Sequence, residues 1–516
     1  MGKQQKKKGK GVEKTSAKTE KKLTQKMKKK LALTGEDDIE DIVKQIEKEE
    51  QKKLQVIEKV IATPPTRRAF CSLTAHPYKD ELIMFGGELH NGHETFVYND
   101  LYVYKIATDE WTLIKSPGAP PPRTSHQAVA TSANKGELWL FGGEFTTRSE
   151  SQFYHYKDLW LFELETKKWT KIDAPGAPSS RSGHRMVVVK RQIIVFGGYH
   201  DNLQDYKYFN DVHAFNLDSR TWKKLDPTGT PPSPRSGCQM VSTPEGKIVI
   251  WGGYSKIKIK KDVDKGTTHT DTFLLQPEKG DETGLKWKWS IVKPGGARYG
   301  ARSGVSCTFW GKKAYTFGGA ADNETEEDLS AVFYNQLHSF DLHQFIWSEI
   351  ALKGKKEQNK PRRRRRNKDD DCEDEENDEE MQVEEEPLVE EKVVEDGVFT
   401  MRVSTVQPTK NEPNTSSSMA VDIVSHPHSR INCSLAIKGH NLFMYGGVFE
   451  EGDREHTLGD FYSLDLHKCE EWKTIIPCDL QNEEWIESES DDDEDDDEDE
   501  NDQDSDSEDE EMENTC

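Results

Sequence analysis

No stretch of this 516-residue chain approaches the ~20 consecutive apolar residues of a membrane-spanning helix. The lysine-rich start runs into no apolar segment, so a secretory signal is not expected either. Cysteine is sparse: Cys71, Cys238, Cys307, Cys372, Cys433, Cys469, Cys478 and Cys516 are scattered, with no CxxC pair. That spacing excludes a dense disulfide framework and a zinc finger, and fits free thiols in a reducing intracellular compartment, nucleus or cytoplasm. Catalytic signatures are missing as well: there is no GxSxG, HExxH or phosphate-binding loop, and no GxGxxG between a strand and a helix. Hydrophobic residues make up only 33% against 32% charged, too few to place the whole chain in packed cores.

What is abundant is segregated charge. Residues 1–30 carry +11, residues 353–368 carry +9 around Arg362 to Arg366, residues 369–396 carry −16, and residues 483–516 carry −22. The remainder of a chain with net charge −24 is therefore nearly neutral. Like-charge blocks repel and stay hydrated, so a basic tail (1–35), an insert (353–428) and an acidic tail (483–516) are expected to be disordered. The basic runs suit nuclear import or phosphate contact with RNA, and the acidic tail suits basic proteins. Ser488, Ser490, Ser505 and Ser507 precede acids and suit an acidophilic kinase, making a phosphoprotein. Ile39, Ile42, Val43, Ile46, Leu54, Ile57, Val60 and Ile61 step by threes and fours, which predicts an amphipathic helix over 36–62, capped by Thr34 and Asp37. Its stripe fits either the body of its own chain or a partner.

Between these blocks the sequence repeats. Gly-Gly doublets end apolar runs at Gly86–Gly87, Gly142–Gly143, Gly197–Gly198, Gly252–Gly253, Gly318–Gly319 and Gly446–Gly447. Each is followed by a polar residue (Asp100, Asp158, Asp211, Asp271, Gln336, Asp460) and then by a tryptophan (Trp111, Trp169, Trp222, Trp289, Trp347, Trp472). An arginine precedes each doublet: Arg68, Arg123, Arg181, Arg235, Arg302 and Arg430. Units near 66–117, 122–175, 180–227, 234–294, 301–352 and 429–478 each read as four strands, the second continuously apolar as if covered on both faces. A period near 50 residues of this kind predicts an all-β, six-bladed propeller over 63–482.

The ordered set of doublet, acid, tryptophan and arginine resembles the kelch repeat. KDVDKG at 261–266, FYHYKDLW at 153–160, SGHRMV at 182–187, SGCQM at 236–240 and VVEDG at 393–397 extend the resemblance to the kelch domain-containing protein 4 family, nearly end to end. The resemblance implies a non-enzymatic kelch β-propeller in which the loops joining strands two and three share a face with those joining strand four to the next strand one. No BTB domain precedes the ring.

Two readings of the arginines follow. Arg123, Arg181, Arg235, Arg302 and Arg430 either pair within the propeller or line a pocket for an acidic or C-terminal peptide group. Tyr154, Tyr156, Tyr206 and Tyr208 would supply an aromatic rim to such a pocket. His126 and His184 recur at one repeat position and read as structural, and HNGH at 90–93 is a poor metal site off a helix. No cofactor and no metal are expected. The expected function is a monomeric protein-interaction scaffold, with a ubiquitin-ligase substrate receptor or a nuclear escort for basic or RNA-binding proteins as alternatives.

Overall fold

The computed structural model describes residues 38–354, 390–405 and 426–480, apart from 54, 203–204, 261–262, 282, 298–299, 325–328, 397–398 and 453. The tails expected at 1–35 and 483–516, the Arg run and most of the acidic block lie outside the described residues. No helix among the described residues is long and apolar enough to cross a membrane.

The repeating region is a six-bladed β-propeller. In the third blade the strands are Arg185–Val189, Gln192–Phe196, Val212–Asn216 and Thr221–Leu225, paired antiparallel in chain order. The apolar second strand is what joins blades. Its side chains alternate between faces, so Ile193 and Val195 pack with Trp139, Phe141 and Leu161 of the second blade. Ile194 and Phe196 point the other way, to Ile250, Trp287 and Trp289 of the fourth. Each repeat tryptophan packs on the ring that ends the preceding blade's second strand: Trp169 on Phe85, Trp222 on Phe141 and Trp289 on Phe196, at 5.2, 5.3 and 5.7 Å between centroids. Trp347 meets Trp251, Trp472 meets Phe317 and Trp111 meets Tyr445 in the same way, at 5.8, 5.8 and 6.1 Å. That recurrence explains why a large aromatic is needed once per unit: it fills the wedge between two twisted sheets.

The ring closes without a borrowed strand. The sixth blade supplies Ser434–Lys438, Asn441–Glu451, Arg454–Asp465 and Lys473–Ile476 from its own unit. It meets the first blade through Phe443, Tyr445 and Phe461 against Met84, Tyr104 and Trp111.

The N-terminal segment departs from the expected helix over 36–62. Helix α1 spans Ile39–Gln51, with Asp38 accepting the Glu40 N–H at 2.9 Å as N-cap; the expected cap at Thr34 lies outside the described residues. Strand β1, Ile57–Ile61, then pairs with the outer strand of the first blade, Ile57 opposite Lys115 and Ile61 opposite Trp111. The outer strand Glu110–Lys115 offers unpaired backbone groups, and a segment with Ile57, Val60 and Ile61 suits a sheet edge as well as it suits a helix. Three- and four-residue spacing over so short a run does not separate the two.

Residues Gly354–Val424 form a separate unit. Within it Glu390–Asp396 and Phe399–Thr405 pair as an antiparallel hairpin, Glu390 opposite Thr405, and most of the insert expected at 353–428 lies outside the described residues. Val393 and Val394 on the first strand and Thr400, Val403 and Thr405 on the second are β-branched residues that favour strand pairing.

Candidate functional site

The six arginines are built into the ring. Arg123 donates to Gly142 O at 3.1 Å and to both Asp158 oxygens at 2.7 and 3.1 Å. Arg181 treats Gly197 and Asp211 alike, at 3.0 Å to the carbonyl and 2.7 and 3.1 Å to the carboxylate. Arg235 pairs with Asp271, and Arg430 with Asp460 at 2.5 and 2.7 Å. Arg68, Arg123, Arg181, Arg235 and Arg430 are 0% exposed. Burial acts to raise the Asp158 carboxyl, and the Arg123 guanidinium overrides it and holds the group below its ordinary value. Of the two sequence readings, internal pairing is therefore the one the geometry shows for these residues. A guanidinium already bonded on its fork and sealed from water cannot greet an incoming peptide.

The same arginines clasp adjacent blades. In five of the six doublets the second glycine donates its N–H to the arginine carbonyl of the next blade: Gly87 to Arg123 at 3.0 Å, Gly143 to Arg181 at 3.0 Å, Gly198 to Arg235 at 2.9 Å. Gly319 reaches Arg430 at 3.0 Å and Gly447 reaches Arg68 at 3.4 Å. The first glycine needs its missing side chain for this approach. At Gly197, with φ +68°, a Cβ would lie 2.7 Å from Arg235 O.

One seam lacks the clasp. Among the described residues Gly253 N–H makes no bond to Arg302 O, and Gly252 has only a His269 carbonyl near its Cβ position, at 3.8 Å. A second ring of backbone bonds near the axis shows the same break. It links Phe70 to Asn432, Ser125 to Phe70, Gly183 to Ser125, Gly237 to Gly183 and Asn432 to Gly304, but not Gly304 to Gly237. Gln239 bridges the gap with its side chain, Nε2 donating to Gly237 O at 3.2 Å and Val305 O at 2.6 Å. The opening is a cavity of about 270 Å³ whose walls include Trp251, Gly253, His269, Arg302, Val305 and Trp347. Arg302 differs from the other arginines here: it is half-buried, donates to the neutral Gln336 Oε1 at 2.5 Å, and lies 3.7 Å over the Tyr334 ring.

The loop face carries the hairpins between strands two and three. The aromatics expected there divide. Tyr156 is buried, its OH on Pro122 O at 3.0 Å and its ring 3.9 Å beneath Arg123, so it is structural. Tyr154 packs edge-on against Tyr156 and lies with Phe145 beneath Ile39 and Val43 of α1. Thus the stripe of α1 is covered by its own chain, and Ile39 N–H bonds Gln152 Oε1 at 3.2 Å. Tyr206 and Tyr208 remain half-exposed, Tyr206 donating to Asp264 Oδ1 at 2.8 Å. Asp264 belongs to the fourth-blade hairpin, Tyr254–Lys260 and Val263–Thr268. Its Ile257 and Ile259 are 58% and 54% exposed, with Lys256, Lys258 and Lys265 exposed beside them.

A polar network lies at the base of the second and third hairpins. Tyr199 OH and Ser182 Oγ donate to Glu144, and Ser182 Oγ also meets His155 Nδ1 at 3.1 Å. His155 Nε2 accepts the Asp201 N–H at 3.0 Å, which leaves the ring proton on Nδ1. That nitrogen cannot also take a proton from Ser182, so this serine, histidine and glutamate do not form a proton relay. Burial pushes Glu144 up to about 7; burial and then the Glu144 charge push Glu88 to about 8. His126 bonds Ser72 Oγ at 2.9 Å and His184 packs edge-on to Phe141, both structural placements. Among the described residues no group of three His, Cys, Asp or Glu could hold a metal ion.

Fold and face together define a six-bladed β-propeller with a ring of buried arginine clasps. Residues 67–273 match the family model described as the FBX42 beta-propeller domain. "Acyl-CoA-binding domain-containing protein 5" of Arabidopsis thaliana is 30% identical over 189 residues, covering 36% of this chain and 27% of that protein. "Leucine-zipper-like transcriptional regulator 1 homolog" of Drosophila melanogaster is 27% identical over 292 residues, 55% of this chain and 26% of its own. "Kelch domain-containing protein 2" of Bos taurus is 26% identical over 254 residues, 46% of this chain and 58% of its own. The chain spans about a quarter of the first two relatives' length and 58% of the third's. A solved chain titled "Structure of YjhT" covers 80% of this chain and 99% of its own at 14% identity, with a TM-score of 0.47.

Proposed function

We propose that this chain is a non-enzymatic protein-interaction scaffold of the kelch domain-containing protein 4 family, and that its binding surface is the loop face. The observation that carries this is the fourth-blade hairpin. Ile257 and Ile259 stand more than half exposed between lysines, on a ribbon whose outer end packs on no core cluster among the described residues. Exposed isoleucines in a row are costly in water unless a partner covers them, and lysines around them favour a partner with apolar and acidic surface together. Tyr206 and Tyr208 adjoin this ribbon and extend it. The basic and acidic tails would add contacts to nucleic acid or basic proteins. Both alternatives, a ubiquitin-ligase substrate receptor and a nuclear escort, use the same face and differ in what is bound.

The test is affinity purification of three proteins side by side: the intact chain, an Ile257→Ser/Ile259→Ser variant, and a chain lacking 1–35, 353–396 and 483–516. Partners of the ring should vanish in the double serine variant and persist in the trimmed chain. A partner set unaffected by the serine changes would refute the loop-face reading.

A further inference from the structure

We infer that the axis of the ring, at Arg185, is a binding site for a small, singly charged oxyanion of the bicarbonate class. The inference is independent of the loop-face reading, since no residue of the exposed ribbon enters it.

The first strand of each blade is the edge that faces the axis. It pairs with the second strand alone, and the first strands of neighbouring blades adjoin all the way round. Each opens four residues after the repeat arginine, at Ser72, Gln127, Arg185, Gln239, Ser306 and Ser434. One place in the repeat therefore holds six polar residues around the axis, and Arg185 alone among them is charged.

The five neutral ones are bonded. Ser72 Oγ meets His126 Nε2 at 2.9 Å, and Ser306 and Ser434 donate to Cys433 O and Cys71 O, each at 2.6 Å. Gln127 donates to His126 O at 3.2 Å, and Gln239 bridges two carbonyls. Arg185 differs. It is half-buried, and its one bond among the described residues runs from Nη1 to the carbonyl of its own neighbour, His184, at 3.2 Å. Nε and Nη2 take no acceptor among the described residues, and neither is one of the unpaired atoms sealed from water. That edge of the guanidinium is open to an incoming group.

No carboxylate among the described residues pairs with Arg185 or acts on its charge. The groups that do are the thiols of Cys238 in the fourth blade and Cys307 in the fifth. Burial raises both, Cys307 to about 12, so neither supplies a thiolate near neutral pH. Burial also weighs against the arginine's own charge, which a guanidinium does not shed. A cation that keeps its proton and has no acid beside it is left for an anion from solution to balance.

The open edge sets the kind of anion. Two parallel N–H groups match two oxygens of one planar oxyanion. One guanidinium balances one charge, which disfavours sulfate and phosphate. The equivalent positions around it are serine and glutamine, not an apolar wall, so a small inorganic ion fits better than an acid with a carbon stem.

Calorimetric titration of the full chain with sodium bicarbonate, and separately with nitrate, chloride and sulfate, tests this. Bicarbonate and nitrate should bind at one site, more tightly than chloride, which has no paired oxygens, and than sulfate. Arg185→Gln installs the residue that the second and fourth blades already carry there, so the ring should stay folded while affinity falls tenfold or more. Arg185→Lys keeps the charge without the fork and should bind more weakly than wild type. Nitrate should raise the melting point of wild type and leave that of Arg185→Gln unmoved. No binding of bicarbonate or nitrate, chloride or sulfate bound as tightly as they are, or equal affinity in Arg185→Gln would overturn the assignment.

Discussion

Arg430 and Asp460 meet at 2.5 and 2.7 Å with neither side chain reaching solvent. The same pair in the fourth blade, Arg235 and Asp271, has an aspartate 44% exposed. One repeated contact therefore sits in two dielectric settings, and its loss should be felt differently in each. Removing one partner of a fully buried pair leaves an uncompensated charge and costs about 3–5 kcal/mol. Arg430→Gln should approach that figure in chemical denaturation. Arg235→Gln should cost distinctly less, because water can reach Asp271. Equal losses would show that the pairs act through shape and not charge.

The doublet glycines give a second comparison. Gly197→Ala and Gly252→Ala share the strain of a left-handed backbone, φ +68° and +67°. Only the first also forces a Cβ to 2.7 Å from a backbone oxygen, against 3.8 Å at Gly252. Strain of this kind costs on the order of 1–3 kcal/mol. Gly252→Ala should stay within that range and Gly197→Ala should exceed it, as read by urea midpoints.

Stability should fall on the alkaline side of neutrality. Glu88 and Glu144 have folded values raised to about 8 and about 7, so their protonated forms favour the fold. Their contribution is full below the unfolded value near 4.5 and is lost as pH rises through 7 to 8. Buried histidines act oppositely: burial lowers His126 and His155 to about 3 and His213 to about 4, so their contribution is present above 6.5 and lost in acid. Between pH 7.5 and 8.5 the histidines are almost wholly neutral in both states, and Glu88, raised to about 8, is the carboxyl that titrates. The melting point should drop across that window, and Glu88→Gln should flatten part of the drop. A wild-type melting point level from pH 7.5 to 8.5 would contradict these assignments.

The insert should be dispensable for the ring. The seam of the fifth and sixth blades is filled by Phe317, Leu337, Leu442, Met444 and Trp472 of the blades themselves. Replacing 355–425 by a short linker should leave one cooperative unfolding transition at a temperature close to that of the full chain. Loss of cooperativity would show that the insert packs into the ring.

The blade count and the tryptophan wedge were legible in the sequence because each depends on one residue type recurring at one place. Trp222 and Gly197 mean the same thing in every unit. The arginines were not decidable that way: a repeated Arg fits an internal pair or a shared pocket equally, and only the position of Asp158 or Asp460 in space separates them. Ile57, Val60 and Ile61 are too few for periodicity to tell a helix end from an edge strand. The open seam left only oblique marks: Trp251 where other units have Phe or Tyr, and Gln336 where they have Asp. Arg302-Ser303-Gly304 repeats the pattern of Arg181-Ser182-Gly183, so its failure to clasp is invisible in the letters.

The most direct measurement is amide hydrogen exchange resolved at the second glycine of every doublet, by NMR of glycine-labelled full-length protein. Gly87, Gly143, Gly198, Gly319 and Gly447 are clasped to the next blade and should exchange slowly. Gly253, at the open seam, should exchange far faster than all five. Gly253 protected as strongly as the others in the free protein would mean that the ring is closed at every seam, and would contradict the account.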